Sequence, residues 1–318
     1  MLMFSEIRSF SDPQQHASSI LGWQQVYDQL SCGRFSSELQ QISAARFQIF
    51  QESLDKRIVQ RGCAPKGRLC IAISLSAERA PKVQGHEVGT CNLVLLRGDE
   101  EFLLHAPEGT RFFGANVDVV RFAKLAAFEL SAEKLRMLQT MPQVINVSAN
   151  VLQRVHQQIY PLFGRLLHGP EVVGGAAEKL LEDTLLEVFL DLFSNASDER
   201  RGRSGSLAVS AYLVKRSQEL ALANSEAPPS ILDLCEQLRV SRRTLQNSFQ
   251  AVTGIRPLEY LRNLRLNAVR RRLIATSATE FKVGEIAGEM GFYHLSHFAG
   301  NYRELFGECP SHTRRLDR

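Results

Sequence analysis

The chain reads as an α+β protein in two parts, a strand-rich N-terminal region followed by helices and a C-terminal region that is helical throughout. Three observations predict this. Short apolar runs separated by Gly- and Pro-containing breaks fill residues 36–128, the mark of a β-sandwich or small barrel. From Ser131 onward the apolar residues recur at three- and four-residue spacing. A polar, glycine-rich stretch, Asn195-Ala-Ser-Asp-Glu-Arg-Arg-Gly-Arg-Ser-Gly-Ser206, separates the two parts. The predicted division is 1–195 (strands 36–128, helices 131–194), a linker at 196–206 and a second domain at 207–318. With 318 residues, both parts can bury substantial cores.

Residues 1–35 read as an irregular arm carrying the sole tryptophan, Trp23. Trp23 either packs against the strands or lines a ligand pocket, and it is the ligand-binding candidate the sequence offers. The strand candidates are Glu38–Ser43, Ala45–Leu54, Leu69–Leu75, Asn92–Leu96 and Phe102–His105. Ala64-Pro-Lys-Gly67, Gly98-Asp99 and Pro107-Glu-Gly109 supply the turns between them. Helices follow over 131–138 and 150–167, the second kinked by Pro161. A third covers 178–193, where Leu181, Leu185, Val188, Phe189 and Leu192 share one face. That face either packs on the strands or meets a second copy of the chain.

The C-terminal region opens with a helix over 207–224. Ile231 to Gly254 then reads as a helix-turn-helix. Leu232, Cys235 and Leu238 form the inner face of its first helix, and Arg239-Val240 the turn. Ser241 caps a second helix whose Leu245, Phe249 and Val252 face inward, and Gly254 ends it in a left-handed conformation. Val283 to Gly307 repeats the plan, with Ile286, Ala287 and Met290 inside, Gly291 at the turn, and Phe298, Tyr302, Leu305 and Phe306 as anchors. One helix joins the two units, starting at Pro257 and carrying Leu258, Leu261, Leu264, Ala268 and Leu273 as an apolar stripe. Its arginines, Arg262, Arg265, Arg270, Arg271 and Arg272, would be a solvated face on an isolated helix. Between two helix-turn-helix units the functional reading, contact with phosphates, is favoured.

Ser241-Arg-Arg-Thr-Leu-Gln-Asn-Ser-Phe-Gln250 with Gly254, Pro257 and Tyr260, then Ile286-Ala, Gly291-Phe292, Phe298, Phe306-Gly307, Pro310 and Arg314, resembles the DNA-binding domain of the AraC/XylS family of transcription regulators. The resemblance covers the last quarter of the chain. It departs at Gly300, where the family usually has a basic residue, and at Thr313, where it usually has an aromatic one. The arm around Trp23 also resembles the subgroup that includes ethanolamine-operon regulators, with no effector carried over. The family resemblance implies a cupin-like ligand-binding barrel in the N-terminal half, self-association as a homodimer through the helices near 178–193, and two recognition helices in adjacent major grooves. Those grooves lie about 34 Å apart, one turn of DNA. The partners expected are a double-stranded DNA operator, a small-molecule effector and RNA polymerase.

On the helix after Ser241, Arg243, Gln246, Asn247 and Gln250 share the face opposite Leu245 and Phe249, with Thr244 at its border. Arg pairs with guanine and Gln or Asn with adenine in the major groove. Arg243, Gln246 and Asn247 are the expected base readers, and Arg242 lies nearer the phosphates. The second recognition helix presents His294, Ser296, His297 and Arg303, with few bidentate donors and Gly300 in their midst. From Ile231 onward the chain holds 14 Lys and Arg against 9 Asp and Glu, a net +5, so the rest carries −1 of the total +4. That asymmetry fits a C-terminal domain that meets phosphates.

The rival readings are a cupin-type metal enzyme with a DNA-binding tail and a constitutive DNA-binding protein without an effector. Metal-dependent cupins need clustered His and Glu ligands, whereas His86-Glu87 and His105 are isolated and form no H-x-H pair. No catalytic residue, metal or cofactor is expected. The six cysteines, without C-x-x-C spacing, read as free thiols of a reducing cytoplasm. Neither a signal peptide nor a membrane span is expected.

Overall fold

The computed structural model describes residues 3–76, 79–140, 143–168, 175–196 and 204–315. The expected linker thus lies, from 197 to 203, outside the described residues. The N-terminal part runs β1 (Phe4–Phe10), α1 (Pro13–Ser19), β2 (Gln24–Gln29), β3 (Ser37–Ser43), β4 (Phe47–Leu54), β5 (Ile58–Cys63), β6 (Arg68–Ser76), β7 (Lys82–Val83), β8 (His86–Glu87), β9 (Asn92–Arg97), β10 (Glu101–Ala106) and β11 (Thr110–Asp118). Then come α2 (Val119–Glu129), α3 (Ala132–Thr140), β12 (Val144–Asn146), α4 (Ala149–Leu167, with Pro161 inside it) and α5 (Gly175–Ser194). The first 35 residues are therefore two strands and a helix, not an irregular arm. Asp12 caps α1 by accepting from the backbone N–H of Gln14 and Gln15, and β1 finds its partner in β3, far along the chain.

The strands form two antiparallel sheets, β1-β3-β4-β11-β6-β9-β12 and β2-β5-β10-β7-β8. Their facing sides share one apolar core, with Phe10, Leu39, Phe50, Leu96 and Phe112 from the first and Tyr27, Ile58, Phe102 and Leu104 from the second. This is an open two-layer sandwich. The cupin-like closed barrel implied by the family resemblance is not formed among the described residues, because no strand pairing joins the two sheets. The outer side of the larger sheet packs on α2, α4 and α5. Leu181, Leu185, Val188, Phe189 and Leu192 of α5 lie in that intramolecular layer, each at most 2% exposed. The apolar face considered for a second copy is thus covered within the chain.

The C-terminal part comprises α6 (Ser204–Ala223), α7 (Ile231–Leu238), α8 (Arg242–Thr253), α9 (Pro257–Ile274), α10 (Val283–Glu289), α11 (Leu295–Phe306) and a single 3-10 turn at Pro310–His312. Leu234 and Cys235 face the core of α7, while Leu232, expected inside, is 64% exposed. Residues 232 and 234 differ by two positions, which puts them on nearly opposite sides of a helix. Leu258, also expected in the stripe of α9, is exposed, and Leu266 and Val269 are buried instead.

The two parts meet along α9. Strand β2 is the edge of the smaller sheet, and its free edge is paired by asparagine side chains of the helix. Gln29 N donates to Asn267 Oδ1 at 2.9 Å, and Asn267 Nδ2 donates to Gln29 O at 2.8 Å. Asn263 Nδ2 donates to Leu30 O at 3.2 Å. A sheet edge needs such cover, since its N–H and C=O groups are otherwise unpaired. Beside it, Asp28, fully buried, takes both Arg61 and Arg271. Asp12 Oδ2 takes Arg270 at 2.9 Å.

Candidate nucleic-acid interface

The first helix-turn-helix is built by local rules. Ser230 and Asp233 form a reciprocal capping box at the start of α7. Arg239 ends that helix in a left-handed conformation at φ 55°, and its N–H bonds back to Glu236 O at 3.2 Å. Ser241 Oγ accepts from Thr244 N at 3.1 Å and caps α8. Gly254, at φ 68°, closes α8 through its N–H to Gln250 O. Leu245 and Phe249 are fully buried, and Phe249 meets Tyr260 of α9 edge-on at 5.4 Å. The opposite side of α8 is thereby fixed outward. Arg242, Arg243, Thr244, Gln246, Asn247 and Gln250 are all exposed there.

The second unit follows the same plan. Ile286, Ala287, Phe298 and Tyr302 are buried, and Gly307 at φ 68° closes α11. His294, Ser296, His297 and Arg303 are exposed. Tyr293 and Leu295, 71% and 50% exposed, stand beside them. Tyr293 was not among the sequence candidates. Its hydroxyl donates to Glu226 O at 2.6 Å, which ties the entrance of α11 to the loop before α7. Gly300 is exposed with open space where a Cβ would stand. Thr313, the other departure from the family pattern, is buried. Its hydroxyl donates to Glu308 at 2.8 Å and lies 2.7 Å from the Tyr302 hydroxyl. Thr313 thus joins Tyr302 and Glu308 in one hydrogen-bonded network.

Of the five arginines of α9 expected to face phosphates, all but Arg262 are engaged within the protein. Arg265 lies over the Phe292 ring, and Arg272 over Phe281 and 3.5 Å from Glu289. Arg270 pairs with Asp12 and Glu308 and covers the Phe306 ring. Arg271 pairs with Asp28. Helix α9 is packed by neighbours on several sides, and the charges of Arg270, Arg271 and Arg272 are matched by carboxylates within the protein. The exposed candidates for a polyanion are those of α8 and α11.

His105 is also an interdomain residue. It is buried, and its Nε2 lies 3.1 Å from the Tyr260 hydroxyl. Burial first, then the charges of Lys82 and Arg57, push its pKa down to about 3. Among the described residues no group of three His, Cys, Asp or Glu could hold a metal ion. Trp23 lines a cavity of about 50 Å³ between the two sheets, together with Phe50, Glu52, Gln60, Phe102 and Leu104. A wider cleft of about 520 Å³ lies between the smaller sheet and α6, and the Lys215–Glu101 ion pair spans from one to the other. No described helix is long and apolar enough to cross a membrane.

Residues 234–316 match a helix-turn-helix domain family. The XylDLEGF operon transcriptional activator of Pseudomonas putida is 43% identical over 86 residues, 27% of this chain and 27% of that protein. The probable thc operon regulatory protein of Rhodococcus erythropolis is 31% identical over 103 residues, 32% and 31% of the two chains. The matched stretch thus spans about a quarter to a third of the length of these curated relatives. A solved regulator from Chromobacterium violaceum with an AraC-type DNA-binding domain is 33% identical, covering 34% of this chain and 93% of that one at a TM-score of 0.31. The matched stretch starts within α7 and takes in both helix-turn-helix units, and through this C-terminal domain the chain belongs to the AraC/XylS family of transcriptional regulators.

Proposed function

We propose that the chain is a cytoplasmic, sequence-specific DNA-binding transcription activator, switched by a small molecule bound between its N-terminal sheets and acting without catalysis. The observation that carries this reading is the division of α8. Its apolar side is fully buried, and Arg243, Gln246, Asn247 and Gln250 stand exposed on the other. Those are the side chains that make bidentate contacts to guanine and adenine in the major groove. The P. putida relative that matches here is itself an operon activator. The effector part of the reading is supported by the cavity at Trp23 and by the extensive contact between the N-terminal sheet and α9. A ligand that shifted β2 would act directly on the helix that joins the two reading units. The partners in this reading are an operator, RNA polymerase and a second copy of the chain.

The experiment is selection of bound sequences from a random duplex pool, with the wild-type chain and with Arg243→Ala. The variant should lose about 1–3 kcal/mol of discrimination at one base pair, a 5- to 150-fold change, and keep its preferences elsewhere. An unchanged sequence profile would remove Arg243 from the reading face.

A further inference from the structure

We propose that the cavity between the two sheets binds a small organic cation, an amine or ammonium group, with Glu52 as its counter-charge and an aromatic box as its seat. This deepens the effector reading and rests on it. Strand alternation puts Phe50 and Glu52 of β4 on the same face, pointing into the sandwich. Trp23 stands edge-on to both Phe50 and Phe102, with ring centroids 5.8 Å apart in each pair and interplanar angles of 79° and 85°. The three rings and the carboxylate line one cavity. A cavity of about 50 Å³ has room for roughly four water-sized groups, so the ligand is small.

The charge balance selects the sign. Glu52 is 4% exposed, and no Lys or Arg lines the cavity with it. Its contacts fall on one oxygen: the Tyr27 hydroxyl donates to Oε2 at 2.7 Å, and His16 Nε2 lies 3.3 Å from the same atom. The hydroxyl of Ser37, 2.7 Å from His16 Nδ1, can donate to that nitrogen. His16 is the one basic side chain against the carboxylate among the described residues, and it stands outside the cavity lining, so inside the cavity no basic group faces this buried acid, and a buried carboxylate without a full counter-charge is costly. Aromatic faces are electronegative and attract cations. An anion would meet Glu52 and three rings, and a neutral ligand would bring no counter-charge to the carboxylate. Gln60 Nε2, buried and without a partner, adds a donor for any oxygen the cation carries.

Trp23 is the sole tryptophan, so its emission reports on this cavity alone. The full-length chain is titrated with tetramethylammonium, propylammonium, propan-1-ol and propionate at constant ionic strength. Both cations should change the emission saturably and bind at least about tenfold more tightly than the alcohol or the anion. Glu52→Gln should remove that advantage and leave the weak alcohol binding as it was. Should that variant not fold, Phe102→Leu should weaken tetramethylammonium binding about fivefold or more. Alcohol or propionate binding as tight as the cations, cation binding indifferent to Glu52→Gln, or silence from all four probes would each overturn the proposal. The first of these would still leave the cavity as an effector site. A cation that saturates Trp23 without altering DNA affinity would instead sink the effector reading and leave the ligand class standing.

Discussion

Replacing Asn267 by alanine strips the cover from the edge of the smaller sheet at one point. In the native protein its amide accepts from Gln29 N at 2.9 Å and donates to Gln29 O at 2.8 Å. Gln29 is 1% exposed and Asn267 3%. The variant leaves one buried donor and one buried acceptor without partners, at about 1–3 kcal/mol each. Water entering the vacated space would recover part of this, so about 2 kcal/mol is the expected net loss, local to the contact between β2 and α9. Hydrogen exchange reads it directly. The Gln29 amide should exchange roughly 30-fold faster in the variant, since 1.4 kcal/mol is tenfold. In an antiparallel pair successive residues turn their N–H groups to opposite sides. The Asp28 amide therefore faces β5, and its protection should hold. A Gln29 rate within about threefold of wild type would refute the view that Asn267 closes this edge.

The remaining predictions concern the two reading helices and the buried histidine. An operator scanned base by base should show strong dependence under α8 and weak dependence one turn away, because α11 exposes few bidentate donors; equal sharpness in both half-sites would refute this. Gly300→Arg, placed where space is open, should raise DNA affinity across all sequences and steepen the log–log salt dependence by about one unit, the mark of an added phosphate contact. His105 stays neutral when folded, with a pKa of about 3 against about 6.5 unfolded. The unfolded chain takes up the proton first, so stability is full above pH 6.5 and falls as pH drops from there toward 3. The expected loss is about 2 kcal/mol at pH 5. Urea unfolding from pH 5 to 7 should show this slope, and His105→Gln should flatten it; parallel slopes would exclude His105 as the source.

The sequence by itself determined the C-terminal helices and their boundaries. Ser241, Gly254, Pro257 and Gly307 each act on neighbours within four residues, and the apolar spacing of Leu245, Phe249 and Val252 names the buried side of α8. Once that side is known, the exposed face with Arg243, Gln246 and Asn247 follows from helix geometry. Local rules could not show which strands pair. Strand β1 lies next to β3 and β2 next to β5, contacts made across long stretches of chain, so the first 35 residues looked irregular. The same limit hid the roles of the charged and polar residues of α9. Arg270 and Arg271 read as a phosphate-facing set until Asp12 and Asp28 were found opposite them. Asn263 and Asn267, polar residues within an apolar stripe, were the one local sign of that contact. Their partners are backbone groups of residues 29 and 30, and only the tertiary fold brings a sheet edge there, because an unpaired edge takes whatever donor and acceptor the packing sets beside it.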